Sequence, residues 1–365
     1  MAKQFDRKIV LENGAEFYGW GFGSMKESIA EAVFNTSMVG YQEIVSDPSY
    51  TGQMVVMTYP IIGNYGMTDE DFESRTPTMG GLIVRDYNNS PSNFRYTKTL
   101  AEILEDYDIP AIYGVDTRMI VNILRSEGTQ KIIITSPETT REEAIAKMNA
   151  YELPHDLIAK VSTKKKWYAR TASYKYNVVA VDCGVRLSTI RTLNACGCNV
   201  TVVPYNTSAE EILKLKPDGV LISNGPGGPF DIPEVVDTVK ALIGITPIFG
   251  MCIGHQLVAQ AYGAKVTKMK VGHRGANHPI RNLLTGKVEI AGQNHSYVVE
   301  KESLSATKLE LTHENILDGT VEGTRCVQDK VITVQFHPDS VSGTAGATYL
   351  FDEFIAMMKE AQNNA

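Results

Sequence analysis

At 365 residues the chain is long enough for two domains with sizeable cores, and its 43% hydrophobic and 21% charged content is that of a soluble globular protein. A formal net charge of −7 argues against broad binding to nucleic acid or to an anionic membrane surface, and no apolar run approaches the ~20 residues that span a bilayer. The opening stretch, Met1 to Lys8, lacks the apolar core of a secretory signal. The five cysteines have irregular spacing and make no disulfide framework, so a reducing, cytoplasmic compartment is expected.

Residues 1–150 read as one α/β unit. Ile9–Leu11 and Glu16–Gly21 suggest an opening hairpin, and Ala32–Thr36 and Met54–Tyr59 suggest two further strands. Between these strands, Gly40–Tyr50 reads as a polar loop with turn chemistry at Asp47-Pro48. Helices are expected around Leu100–Tyr107 and Thr117–Glu127, the second capped by Asp116 and stopped at Gly128. No nucleophile–base pairing suggests itself in this half. The basic segment Pro154–Lys175 has no clear apolar period and reads as a solvated boundary, giving a linker over 151–176.

From Asn177 to the end, strands and helices alternate. Val178–Val181, Val200–Val203, Gly219–Ile222, Ile248-Phe249 and Val331–Phe336 read as strands. Leu187–Leu193, Ala209–Leu215, the stretch after Cys252 and about Ala347–Glu360 read as helices. Apolar strands alternating with helices imply a mostly parallel, flavodoxin-like sheet covered on both faces, with its site at the carboxyl ends of the strands.

Three pieces meet that expectation. Gly250-Met251-Cys252-Ile253-Gly254, between a strand and a helix, is a nucleophile elbow carrying a thiol. The N-terminus of the following helix favours the thiolate. His337 follows a strand in a turn fixed by Pro338, where it can serve as the base, and Asp339 can orient its imidazole. Acyl transfer also needs donors for an oxyanion. The Ile253 N–H is one, and the loop Ser223-Asn224-Gly225-Pro226-Gly227 can bring a second close.

Together Ser-Asn-Gly-Pro-Gly (223–227), Phe-Gly-Met-Cys-Ile-Gly-His-Gln (249–256), Gln-Asn-His-Ser-Tyr (293–297) and Gln-Phe-His-Pro (335–338) resemble class I (triad) glutamine amidotransferases. Within that class, Val33–Glu43, Thr58–Gly66 and Lys268–Pro279 are similar to the small subunit of glutamine-dependent carbamoyl-phosphate synthetase, and the likeness runs over almost the whole chain. The resemblance implies hydrolysis of glutamine to glutamate and ammonia through a cysteine thioester. The ammonia would pass to a large synthetase subunit that binds ATP and Mg2+, with no cofactor or metal in this chain and with higher oligomers of the heterodimer allowed. It implies Cys252 as nucleophile, His337 as base and Asp339 as third member. Gly225 and Ile253 would supply oxyanion N–H groups, and Ser49, Gly225, Gly227, Ile253, Gln256, Asn294, Ser296 and Tyr297 would hold glutamine. The expected domains are 1–150, an N-terminal small-subunit domain, and 177–365, the amidotransferase domain.

The sequence departs from the family's pattern at several places. Asp339 stands where Glu is usual, which shortens the carboxylate's reach by roughly 1.5 Å. Gly228 replaces a usual Asp, Ser296 a common Gly, and Ser340–Thr344 differs from the usual Ala-Ser-Pro-Gly-Pro. Slower hydrolysis is therefore expected. The alternative is a catalytically impaired partner that supports ammonia-dependent synthesis. His273 and His278 flank a glycine-rich loop but lack a third ligand for a metal, Cys196-Gly197-Cys198 is too short for a zinc site, and Cys183 and Cys326 read as core thiols.

Overall fold

Residues 4–339 and 347–363 are described by a computed structural model, and the chain divides into two compact units, Met1–Pro154 and His155–Ala365. In the first unit the strands are β1 (Arg7–Leu11), β2 (Glu16–Gly23), β3 (Ser28–Asn35), β4 (Gln53–Met57), β5 (Ile61–Ile62), β6 (Gly81–Ile83), β7 (Asp86–Tyr87), β8 (Pro110–Tyr113) and β9 (Lys131–Thr135). Seven of them close into a barrel in the order β1-β2-β8-β6-β4-β3-β9, while β5 and β7 pair separately. The helices are α1 (Tyr41–Ser46), α2 (Leu100–Asp106), α3 (Thr117–Glu127) and α4 (Arg141–Ala150). Thr99 with Glu102 and Thr140 with Glu143 form reciprocal capping boxes at α2 and α4, and the Asp116 carboxylate accepts from Met119 N at the start of α3.

The stretch expected as a polar loop, 40–50, is instead α1 followed by a 3-10 turn, Pro48–Tyr50, and both are largely buried. Its polar groups find partners that a local reading cannot see. Gln42 exchanges hydrogen bonds with the Thr68 backbone, and Ser46 Oγ accepts from Glu73 N at 2.9 Å. Tyr41 stacks on Tyr65 at 4.0 Å, and the Tyr65 hydroxyl accepts from the N–H groups of Gly40 and Tyr41. The two motif stretches around Tyr41 and Tyr65 thus brace each other and the turn that carries Ser49.

The second unit contains α5 (Leu157–Val161), β10 (Trp167–Ala169), β11 (Tyr176–Asp182), α6 (Leu187–Ala195), β12 (Cys198–Pro204), α7 (Ala209–Lys214), β13 (Gly219–Ile222), α8 (Pro233–Leu242), β14 (Ile248–Met251) and α9 (Ile253–Ala261). It continues through β15 (Val266–Asn282), β16 (Val288–Val299), β17 (Glu310–Asn315), β18 (Val321–Cys326), β19 (Val331–Val334) and α10 (Tyr349–Asn363). One ten-stranded sheet runs β10-β12-β11-β13-β14-β19-β18-β17-β15-β16. Its middle, β12-β11-β13-β14-β19, is parallel and has the flavodoxin-like order 2-1-3-4-5. Successive side chains of β11 serve opposite faces. Val179 and Val181 pack with Val235, Val239 and Leu257 of α8 and α9, while Val178 and Ala180 pack with Ile190, Leu193, Phe351 and Phe354 of α6 and α10. Each such fully buried aliphatic or aromatic side chain contributes about 1.5–3 kcal/mol.

The segment 151–176 is not a bare linker: α5 lies in it, and β10 adds an antiparallel edge to β12, pairing Trp167 with Val202. Lys164, Lys165 and Lys166 are exposed, as a solvated run should be. His273 and His278 lie within strand β15 and not beside a loop. That strand pairs with β16 through two register shifts, at Lys268/His273 and Gly275/His278.

Candidate active site

The elbow closes where β14 meets α9. Cys252 adopts φ 54, ψ −110, a left-sided conformation that costs a non-glycine residue about 1–3 kcal/mol and that flanking contacts must hold in place. They do so from both sides. Cys252 N donates to Val334 O of β19 at 2.8 Å, and Gly254 N donates to Ser223 O at 3.2 Å. The glycines are required by packing: a Cβ on Gly250 would stand 2.8 Å from Gly254 O, and one on Gly254 would stand 2.1 Å from Ile222 O. The thiol is buried, 3.4 Å from Asn294 O, at the N-terminal end of α9, where the helix's partial positive charge gathers.

The loop after β13 lies beside it. A Cβ on Gly225 would fall 2.0 Å from Cys183 O, so only glycine lets this backbone press against the loop after β11. Asn224 staples the two loops, its Nδ2 donating to Gly184 O at 2.9 Å and its Oδ1 accepting from Arg186 N at 3.3 Å. Asp182 fixes the β11 end by accepting from Gly184 N, Val185 N and Thr163 N. Gly227 turns with φ 79, and Gly228 N donates to Asp231 Oδ2 at 3.1 Å. Where Gly228 replaces a larger residue, the Tyr297 ring takes the space: a Cβ there would lie 3.0 Å from Tyr297 Cζ and Oη.

His337 is buried just past β19, its N–H bonded to Gly292 O at 2.9 Å in a bridge that ties the turn to β16. Asp339 is buried too. Its Oδ2 accepts from Ser188 Oγ at 2.8 Å and Thr189 Oγ1 at 2.6 Å, while Oδ1 makes no hydrogen bond among the described residues. Burial pushes its pKa up, but the charges of Arg186 and His337 and the two hydroxyls outweigh that, and the carboxyl is held below its usual value. Residues 340–344 lie outside the described residues.

The remaining expected residues fall in two places. Gln256, one turn into α9, donates to Tyr297 O at 3.0 Å and Gln335 Oε1 at 2.9 Å, tying the helix to β16 and to the end of β19. Asn294, Ser296 and Tyr297 follow one another along β16, with the Ser296 hydroxyl accepting from buried Arg274 and Tyr297 meeting Phe230 edge-on at 6.2 Å. Ser49 belongs to the first unit, where it is buried and its N–H donates to Asp47 Oδ1 at 2.8 Å. The sequence reading missed Arg186, Ser188, Thr189 and Arg274. The signal for the first three was their position, one residue beyond a strand-end turn and in the first turn of a helix.

Behind β16 sits a polar cluster. His273 lies 2.9 Å from Asp318 and 3.7 Å from fully buried Glu322, and burial alone would lower its pKa, yet the two carboxylates raise it to about 9. Donor atoms of His273, His295 and Glu322 lie within 4.8 Å of one another.

Two family profiles match: "Carbamoyl-phosphate synthase small chain, CPSase domain" over residues 9–134 and "Glutamine amidotransferase class-I" over residues 179–357. A carbamoyl phosphate synthase small chain from Staphylococcus saprophyticus is 48% identical over 98% of this chain and 99% of its own. Small chains from Fusobacterium nucleatum and Bacillus caldolyticus are each 48% identical, covering 99% and 97% of this chain and 99% and 97% of their own. The chain belongs to the carbamoyl phosphate synthase small chain family, with a class-I glutamine amidotransferase domain in its second unit.

Proposed function

We propose that Cys252, His337 and Asp339 carry out the glutamine hydrolysis of this small chain and that the ammonia is delivered to a large synthetase subunit. The observation that carries the assignment is the strained thiol just past the end of β14, with a buried imidazole just past the end of the neighbouring parallel strand β19. Cys252 passes its proton to His337, and Sγ adds to the carboxamide carbon of glutamine. The carbonyl electron pair moves onto oxygen, where the N–H groups of Gly225 and Ile253 stabilise it; one such donor is typically worth about 10²–10³ in rate. The His337 imidazolium then protonates the amide nitrogen, the C–N bond breaks, and ammonia leaves a thioester on Cys252. Water enters, gives a proton to His337, and adds its oxygen to the thioester carbon. The oxyanion collapses, the C–S bond breaks with the His337 proton passing to Sγ, and glutamate departs.

Glutamine is held by Ser49, Gly227, Gln256, Asn294, Ser296 and Tyr297 together with the oxyanion donors. No cofactor is assigned to this chain; ATP and Mg2+ are assigned to the large subunit, and the compartment is cytoplasmic. Among the described residues no helix is long and apolar enough to cross a membrane. Acid-quenching the chain during turnover of labelled glutamine tests the scheme. Label should be retained covalently on the parent and absent from Cys252→Ala. A parent that turns over without ever holding label would refute the thioester route.

A further inference from the structure

Ser188 and Thr189 direct their hydroxyls away from helix α6 and onto a carboxylate about 150 residues further along the chain. Hydroxyls in a helix ordinarily bond the carbonyl a turn earlier or face solvent, and Thr192, on the next turn, does so, donating to Ser188 O at 2.9 Å. The three groups are nearly closed to solvent: Ser188 is 3%, Thr189 1% and Asp339 5% exposed. Both donors converge on one oxygen, Oδ2, at 2.8 and 2.6 Å, which fixes the plane of the carboxylate as well as its position. The carboxylate also meets the N-terminal turn of α6, where partial positive charge gathers, and Arg186 supplies a full charge one residue before it.

We propose that Ser188 and Thr189 are positioning residues for the shortened third member: they pin Oδ2 of Asp339 to the first turn of α6 and so fix the direction from which its charge acts on His337. The proposal rests on the assignment of Cys252 and His337 above. A glutamate at 339 would need no such hydroxyls at this depth, since its extra methylene reaches roughly 1.5 Å further. Aspartate lacks that reach, and the Ser188 and Thr189 hydroxyls meet its Oδ2 from the helix side. The site is then complete with aspartate. Asp339→Glu would push a longer side chain into donors already seated, so it gives no gain in rate.

Glutamate release by the full chain, assembled with its large subunit, tests this. Ser188→Ala/Thr189→Val removes both hydroxyls at nearly constant volume. The expected result is a kcat lower by about tenfold or more, a KM for glutamine within threefold of the parent, and a near-native thermal melt. The acid limb of the pH profile moves to higher pH, because a carboxylate stripped of its donors ionises less readily. Ser188→Thr and Thr189→Ser, which keep the hydroxyls, keep the rate and serve where the double variant folds poorly. In an Asp339→Asn background the hydroxyl losses add little further, because the group they position is already gone. A double variant within twofold of the parent kcat, or losses that multiply undiminished in the Asp339→Asn background, would overturn the proposal. A Cys252→Ala control that abolishes turnover upholds the underlying assignment separately, so such a result then counts against the hydroxyls alone.

Discussion

Replacing Gly254 by alanine puts a single methyl where the elbow has no room. The added Cβ would stand 2.1 Å from Ile222 O, 2.7 Å from Ile222 C and 3.0 Å from Ser223 O. All three are backbone atoms of β13 and the loop after it, locked by sheet hydrogen bonds to β11 and β14, so no side chain can swing aside. Ordinary contact begins near 3.4 Å, so the start of α9 would have to retreat by about 1.3 Å. Overpacking of this kind costs about 1–3 kcal/mol, against a total stability of about 5–15 kcal/mol, so the chain should still fold with a melting temperature lower by several degrees. Catalysis should suffer far more. A shift near 1 Å moves the Cys252 thiol and the Ile253 N–H away from the loop proposed to hold the oxyanion, and misplacement on that scale costs about 100-fold in rate. Steady-state glutamate release and a thermal melt on the same sample measure both effects. A variant within threefold of the parent kcat, with an unchanged melt, would refute the claim that close packing of α9 on β13 aims the nucleophile.

Stability should peak near pH 6.5. His255 and His313 are buried and His278 half-buried, and all three are kept neutral, with pKa values lowered to about 3, about 4 and about 4 by burial and, for His278, by the charge of His273, so each loses about 1.4 kcal/mol per unit as pH falls below 6.5. His273 has the opposite sign. Raised to about 9 by Asp318 and Glu322 against its burial, it stabilises fully below 6.5 and loses at most about 3 kcal/mol as pH rises towards 9. Urea unfolding at pH 5, 6.5 and 9 checks both limbs, and equal stability at pH 5 and 6.5 contradicts the first. Restoring the family's usual residue at 228 should harm this chain. In Gly228→Asp the Tyr297 ring must give way by a few tenths of an ångström. The KM for glutamine should then rise by up to about tenfold, with a smaller change in kcat; an unchanged KM would remove Tyr297 from the binding pocket.

The parallel half of the second unit was legible because its strands are fully buried and therefore read as unbroken β-branched runs, such as Val178–Val181 and Gly219–Ile222. The strand ends followed from that, and with them the placement of Cys252 and His337. The antiparallel extension β15 to β18 was not legible, for a physical reason. Its buried positions include Arg274, Gln293, Asn294, His295 and Glu322, which leave no apolar alternation to read. Two register shifts in β15 break what period remained. Helix α1 hid in the same way, since Gln42 and Ser46 look like loop residues until Thr68 and Glu73 are seen to pair with them. The shortened carboxylate at 339 was visible in the sequence. The hydroxyls that receive it were not, because nothing local links Ser188 and Thr189 to a residue some 150 positions away.

The central claim is that this chain draws ammonia from glutamine at Cys252 for use by a large subunit. The most direct test is carbamoyl phosphate formation by the assembled enzyme, parent against Cys252→Ala, with either glutamine or free ammonia as the nitrogen source. The account expects the variant to lose glutamine-dependent synthesis and glutamate release together while ammonia-dependent synthesis is kept. Undiminished glutamine-dependent synthesis in Cys252→Ala would contradict it.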